Sequence, residues 1–370
     1  MPSFPVRPMD AVVALHSAGD HELSEAIIAS LGSAVFGGRK VAPAGPAQRL
    51  MARANYRILK WTTTHRVKSD KEGEHTACEN ALLERTGHPY ARALLGSSSG
   101  DLESLVEGGD PMNGPYMMIV PEILKAGTIL DRVFLNSVQA KDVQLRFIWE
   151  TQASYEEAKT RLEKGGAVRM KAVAAGTGLS MIVAYDRLLR EGYDPARITV
   201  SITDRDEANT AKTRRMLAKL ALTRDLTSDT ETEGRISART EDIFAEEPGD
   251  GTTIVKPYDV VTAVGILEYF QGCTSHTTEQ KHRVSEGEQS ATAHHLVTRL
   301  GQITAAAAAL IVNTYRPHAS TRILELFGKM FDYRHRENLA ELLATANFRS
   351  PRLMGSGNIY DVEVYEKSPP

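Results

Sequence analysis

The chain has 370 residues, more than a single hydrophobic core usually holds, so we expect two structural units. The net charge of −3 and the absence of a long block of either sign argue against an electrostatic nucleic-acid interface. The two cysteines, Cys78 and Cys273, exclude a secreted disulfide framework, and no zinc-ligand spacing is present, so we expect no metal.

The N-terminal part of the chain is predicted to be helical. Apolar residues recur at helical spacing in 21–31, 47–59 and 79–87, and segments rich in Pro, Gly and Ser separate these stretches. We therefore predict a helical N-terminal cap domain over residues 1–130.

From about residue 168 the pattern changes to strands that alternate with helices. The predicted strands are 168–176, 197–203, 235–243, 258–265, 308–315 and 358–367, and the predicted helices are 179–194, 206–222 and 335–348. A further helix is predicted at 131–150, just before the first strand. Such alternation is typical of an α/β fold with a doubly wound parallel sheet, here over residues 131–370.

A glycine turn, AAGTGLS (174–180), joins the first strand to the first helix of this domain. Gly176 and Gly178 let the backbone approach a ligand, and the helix start offers free amide donors. Asp204 ends the next strand, where a carboxylate can accept both hydroxyls of a ribose. A tight corner alone would explain the glycines, but their combination with Asp204 favours an adenosine ligand.

Two later strands add candidate contacts. Asp242 ends the third strand and suits the exocyclic amine of adenine, with Ile243 packed on the ring face; a helix-capping aspartate is the alternative. The fourth strand ends in small residues up to Gly265, before Leu267, Glu268 and Tyr269. Small residues at this edge leave room for a ligand.

This order of strands, glycine turn and acids resembles the class I S-adenosylmethionine-dependent (SAM-dependent) methyltransferases, over residues 131–370. The resemblance implies a Rossmann-like, mainly parallel, seven-stranded sheet and SAM as the cofactor. The cofactor-binding residues that it implies are Ala174, Gly176, Thr177, Gly178, Asp204, Arg205, Asp242, Ile243, Gly265 and Leu267.

Two positions depart from the family. It usually has an acid at the position of Ala172 and a glycine at that of Ala174, and both lie where the methionine part of the cofactor binds. On the helix before the core, Asn136 and Gln139 share one face at i, i+3 spacing. We predict that these two amides face the methionine part and compensate for the missing acid.

The acceptor side is predicted at the loop after the fifth strand, NTYRPHAS (313–320). Tyr315 is a candidate to contact the sulfonium or orient an acceptor, and His318 is a candidate base. The alternative interpretation of this loop is that its polar side chains are only exposed to solvent and have no role in the reaction. Tyr116 is a candidate to line the cavity from the cap. The polar segment 273–295 is either a surface insertion or a lid, and its pair His294–His295 is predicted to lie on a helix surface.

The leading functional hypothesis is a SAM-dependent methyltransferase of specialised metabolism with a small-molecule substrate. The second hypothesis is an enzyme in which the aminocarboxypropyl carbon of SAM is attacked and methylthioadenosine is released. Nicotianamine-type synthases and azetidine-2-carboxylate-forming cyclases carry out reactions of this kind. A non-catalytic cofactor-binding protein is the third. No apolar stretch is long enough for a signal peptide or a membrane span, so we expect a cytoplasmic protein with neither nucleic acid nor membrane as partner. A homodimer is left open.

Overall fold

The computed structural model describes residues 21–37, 42–67, 137–207, 209–211, 213, 214, 217, 235–244, 256–270, 293–326 and 331–369. Among the described residues, three helices precede the first strand, namely α1 (His21–Phe36), α2 (Pro46–Val67) and α3 (Val138–Glu163). Helix α3 begins after Ser137, whose hydroxyl accepts a hydrogen bond from the backbone N–H of Ala140 at 3.2 Å. This serine cap satisfies one of the free amides of the first turn.

Seven strands form one sheet in the order β3-β2-β1-β4-β5-β7-β6. The strands are β1 (Val168–Val173), β2 (Ile198–Asp204), β3 (Ile236–Thr240), β4 (Tyr258–Ala263), β5 (Thr304–Asn313), β6 (Phe348–Ser356) and β7 (Asp361–Lys367). Strands β1 to β5 are parallel, and β7 runs antiparallel to β5 and β6. The order reverses between β1 and β4, so the carboxyl ends of these two strands border the crevice where ligands of open α/β sheets bind.

Helices cover both faces of the sheet. Beyond β1 lie helices α4 (Leu179–Arg190), α5 (Ala293–Ile303), α6 (Ala319–Leu326) and α7 (Arg336–Ala344). Successive residues of a strand point to opposite faces. Val260 therefore joins the apolar cluster of α1, α3 and α4, whereas Val261 joins that of α5 and α7. Both faces of the sheet are thus buried, as expected for a doubly wound sheet.

The predicted fold class is confirmed, and the structure differs from the predicted elements in several details, including helices α5 and α6, which were not among the predicted helices. Helix α3 continues to Glu163 instead of ending at 150, and β5 starts at Thr304 instead of 308. Strand β6 was not predicted. It lies at the edge of the sheet, is exposed over most of its length and contains Pro351 beside an irregularity in its pairing. A proline is tolerated at such an edge. An exposed strand that contains a proline does not show the alternation of apolar and polar residues by which strands are recognised in a sequence.

Two described helices belong to the predicted cap domain. Helix α1 packs on α4 and α3, and α2 packs on α6. The predicted helix at 79–87 lies outside the described residues, and the boundary at residue 130 stays a prediction. Within the described ranges, none of the helices is both long and apolar enough to cross a membrane.

We predict that Phe147→Ala lowers the free energy of unfolding by about 3–5 kcal/mol, because Phe147 of α3 is fully buried against the sheet and its truncation leaves a cavity. Chemical denaturation measures this loss. Glu156→Ala, on the exposed part of the same helix, is the matched control and should change stability by less than about 1 kcal/mol. Equal effects of the two substitutions would contradict the packing described for α3.

Candidate functional site

The glycine turn begins where β1 ends. Ala174, at φ +49°, adopts a left-handed conformation that costs a non-glycine residue about 1 kcal/mol. Gly178, at φ +61°, precedes the first residue of α4, and its N–H donates to the carbonyl of Ala175 at 2.8 Å. A Cβ on Gly178 would lie 2.6 Å from Cγ2 of Ile202, so β2 packs too closely for any larger residue. Thr177, between the two glycines, is buried.

Asp204 fastens this turn to the end of β2. Its Oδ2 accepts a hydrogen bond from the N–H of Gly176 at 2.8 Å, and its Oδ1 accepts one from the N–H of Asp206 at 2.9 Å. The structure thus brings Asp204 and the glycine turn together. A carboxylate has about four lone-pair sites, so these two donors leave acceptor capacity for the hydroxyls of a ligand. Arg205, the next residue, is exposed.

Asp242 lies two residues beyond β3 and is exposed. Its Oδ1 accepts a hydrogen bond from the N–H of Phe244 at 2.9 Å and so closes a short turn. Because β3 pairs with β2 in parallel register, Asp242 follows its strand at the same edge of the sheet as Asp204. Ile243 is half-buried against the cluster of α5 and α7, and its carbonyl accepts a hydrogen bond from Nε of Arg299.

Gly265 follows β4 with φ +83°. Its N–H donates to Oδ1 of Asn313, the last residue of β5, at 2.6 Å, which couples the ends of the two strands. A Cβ at this position would lie 2.9 Å from Nη1 of Arg146. The absence of a side chain at Gly265 therefore accommodates a guanidinium group from α3. Leu267 is buried in the cluster of α5 and α7.

Two buried charges on α3, Arg146 and Glu150, complete this edge and were not predicted. Nη1 of Arg146 lies 3.5 Å from Oε1 of Glu268, and its guanidinium lies over the ring of Tyr360 at 4.6 Å. Oε1 of Glu150 accepts a hydrogen bond at 2.8 Å from the hydroxyl of Ser180, in the first turn of α4. The sequence signal was RFIWE (146–150), in which two charges one helical turn apart enclose apolar residues.

Burial shifts the pKa values of the carboxyl groups at this edge. It raises the pKa of Glu150 to about 7, although the Ser180 hydroxyl and the Arg146 charge act in the opposite direction. Burial also raises the pKa of Glu268, again against the charge of Arg146. Desolvation disfavours a carboxylate unless a positive group compensates it. At neutral pH Glu150 is therefore poised between its protonated and ionised forms.

Tyr315, two residues beyond β5, is buried in an aromatic cluster. Its ring lies 4.9 Å from that of Phe331, 5.4 Å from that of Tyr333, in a stacked arrangement, and 5.2 Å from that of Tyr360. The hydroxyl oxygen is buried and has no hydrogen-bond partner among the described residues. Burial raises the pKa of Tyr315 far above its ordinary value, so this phenol remains a neutral donor.

His318 is half-buried at the start of α6. Its Nδ1 accepts a hydrogen bond from the N–H of Ser320 at 3.1 Å, so in the neutral ring the proton lies on Nε2. Burial lowers the pKa of His318, and the positive charges of Arg53 and Arg49 on α2 lower it further. The ring is thus neutral near pH 7, with one lone pair engaged in capping a helix. Its proposed role as a base stays a prediction.

Gln139 lies in the first turn of α3. Both polar atoms of its side chain are buried and have no hydrogen-bond partner among the described residues. Asn136 and Tyr116 lie outside the described residues, as do positions 273–292 of the predicted lid. His294 and His295 belong to α5, where His295 is exposed and its ring lies 5.0 Å from that of Phe244.

Comparisons with known proteins show that the fold of this chain is similar to the folds of solved structures. No protein-family model matches the chain. No curated protein matches its sequence. Among solved structures, the chain is similar to a possible exported protein from Bordetella parapertussis, with a TM-score of 0.50 and 14% identity over 88% of this chain and 99% of that one.

Two further solved structures are also similar to the chain. One is the CurJ carbon methyltransferase, with a TM-score of 0.44 and 14% identity over 98% of this chain and 100% of that one. The other is the magnesium protoporphyrin IX methyltransferase from Synechocystis PCC 6803 with bound SAH, with a TM-score of 0.38 and 12% identity over 61% of this chain and 87% of that one. At these identities the similarity concerns the fold alone.

We predict that Glu150→Gln stabilises the protein above neutral pH. The pKa of Glu150 is raised from 4.5 to about 7 on folding, so the folded state binds the proton more tightly and the wild-type protein loses stability as pH rises between these values. The glutamine variant lacks this loss. It should be more stable than wild type by about 3 kcal/mol at pH 8 and by little at pH 5.

Thermal or chemical unfolding at several pH values measures this difference. Glu156→Gln, at an exposed position of α3, is the control and should follow the wild-type profile. If the profiles of Glu150→Gln and wild type ran parallel from pH 5 to 8, the carboxyl of Glu150 would not have the raised pKa.

Proposed function

We propose that the chain is a SAM-dependent methyltransferase that acts on a small molecule. The observation that carries the proposal is the hydrogen bond between Asp204 and the N–H of Gly176, which joins a ribose-type acid to a glycine turn at the carboxyl edge of a Rossmann-like sheet. Such a pairing provides acceptors for ribose hydroxyls beside a backbone that a nucleoside can approach closely.

The order of the strands supports an extended nucleoside ligand. Along the edge, β3 carries Asp242, β2 carries Asp204, β1 carries the glycine turn and β4 carries Gly265. Neighbouring strands lie about 4.8 Å apart, so these four positions span roughly 14 Å. Adenine, ribose and the methionine part of SAM would then follow one another from β3 towards β4, which agrees with the roles that the family resemblance implies.

SAM supplies an electrophilic methyl group on a sulfonium, and the tasks of the protein are to align the acceptor and exclude water. The acceptor side lies beyond β4 and β5, where Asn313 fixes Gly265 and Tyr315 offers a neutral hydroxyl inside an aromatic cluster. A donor of this kind orients an acceptor and does not remove its proton. The net charge of −3 argues against a nucleic-acid substrate and so supports a small acceptor. The proposal also places the enzyme in specialised metabolism and in the cytoplasm.

Analysis of the products of SAM tests the reaction type. We expect S-adenosylhomocysteine to accumulate, by mass spectrometry, when the protein is incubated with SAM and a panel of small-molecule acceptors, and we expect little product without them. Methylthioadenosine formed from SAM alone would overturn methyl transfer in favour of attack on the aminocarboxypropyl carbon. Tight binding of SAM without turnover of any acceptor would support a non-catalytic binding protein.

We expect Asp204→Asn to weaken S-adenosylhomocysteine binding by about 10- to 100-fold, because a neutral amide replaces a charged acceptor of two hydrogen bonds. Isothermal titration calorimetry measures the change. Asp194→Asn is the matched control, since the Asp194 carboxylate also accepts a backbone hydrogen bond, from Ala196 at 2.8 Å, but caps a short 3-10 turn before β2. Wild-type affinity in the Asp204 variant would contradict the proposed site.

A further inference from the structure

Three polar side chains of α3 lie on one face of the helix. Gln139, Arg146 and Glu150 are separated by seven and four residues, which places them above one another at 3.6 residues per turn. All three side chains bury their polar ends. Because buried charges are costly unless compensated, a stripe of this kind in a helix packed on a sheet calls for an explanation.

The stripe meets the sheet at the point where the strand order reverses. Glu150 contacts Ser180, just after the glycine turn, and Thr262 near the end of β4. Thr262 is paired with Ala172 of β1, so the carboxyl group lies at the boundary between β1 and β4. Arg146 lies against Gly265, beyond the end of β4. Both charges therefore border the ligand crevice of the fold.

The protein surrounds both charges with polar groups. Arg146 approaches Glu268 at 3.5 Å, which is long for a charge-assisted hydrogen bond, and the second carboxylate oxygen of Glu268 has no hydrogen-bond partner among the described residues. The hydrogen bonds of Glu150 come from two neutral hydroxyls, those of Ser180 and Thr262. A positive group beside Glu150 and a negative group beside Arg146 would each add an opposite charge to those that the protein supplies.

We propose that Arg146 and Glu150 form the subsite for the α-amino-acid end of SAM, Arg146 binding its carboxylate and Glu150 its ammonium group. This inference rests on the proposed function. Side chains at i and i+4 lie about 5–6 Å apart at their Cβ atoms, so α3 presents one positive and one negative group at a spacing that suits a zwitterion. Electrostatic complementarity in a buried crevice makes such recognition specific.

A purely structural role for Glu150 predicts a different behaviour. If the carboxyl only anchored α3 to Ser180, its replacement would disturb the glycine turn and weaken every adenosine ligand alike. If it binds the ammonium group, only ligands that carry the amino acid are affected. S-adenosylhomocysteine and 5′-methylthioadenosine separate these cases, because both are adenosine thioethers and only the first has the amino-acid end.

Calorimetric titration of the full chain with these two ligands tests the inference. We expect Glu150→Gln to weaken S-adenosylhomocysteine binding at least tenfold while it changes methylthioadenosine binding less than threefold; charge-assisted bonds are worth about 1.5–3 kcal/mol. Arg146→Lys, which keeps the positive charge beside Glu268, should show a smaller loss for the same ligand. Glu156→Gln is the control and should bind both ligands as wild type does.

The pH dependence provides a second readout. Among the described residues, the charged group that acts on Glu150 is Arg146 on its own helix, and the hydroxyls of Ser180 on α4 and Thr262 on β4 donate hydrogen bonds to it. Since the pKa of Glu150 is about 7, wild-type affinity for S-adenosylhomocysteine should rise from pH 6 to 8. The rise should be absent for methylthioadenosine and for the glutamine variant.

The outcomes separate the two proposals. If wild type binds neither ligand, the proposed function fails, and this inference fails with it. If wild type binds both and Glu150→Gln weakens both equally or neither, the proposed function stands and the amino-acid subsite is wrong. Selective loss of S-adenosylhomocysteine by a variant at least as stable as wild type supports the subsite.

Discussion

The burial of two opposite charges on one helix is the constraint around which the candidate site is arranged. Moving Arg146 and Glu150 out of water costs several kcal/mol for each ion, and only nearby polar groups recover that cost. Glu268 and Ser180 supply part of the compensation, and Gly265 leaves the space that the guanidinium occupies. The helix is thereby fixed against the ends of β1 and β4, where the strand order reverses.

The Asp204 carboxylate connects the glycine turn after β1 to the segment after β2. One carboxylate oxygen accepts from the glycine turn and the other from the chain just beyond β2, so a single side chain sets the positions of both segments. Ala174 adopts a left-handed conformation that a glycine would adopt without strain. The turn therefore has an alanine in this conformation at its first position, and Ala172 leaves the end of β1 without an acidic side chain. Glu150 places a carboxyl group beside that position from another element.

The sequence predicted those features that depend on local patterns. The glycine turn and Asp204 were found because each follows directly on a buried strand. Arg146 and Glu150 were not found, because their partners are Glu268 and Ser180, which are distant in sequence and are brought to α3 only by tertiary packing. Strand β6 was missed for the opposite reason, since an exposed edge strand has little apolar alternation to detect.

The most direct test of the account is an experimental structure of the chain with S-adenosylhomocysteine bound. The account predicts the ribose hydroxyls within hydrogen-bond distance of Asp204, the adenine near Asp242, and the amino-acid end between Arg146 and Glu150. A ligand bound away from the carboxyl ends of β1 and β4, or with its amino-acid end turned away from α3, would contradict it.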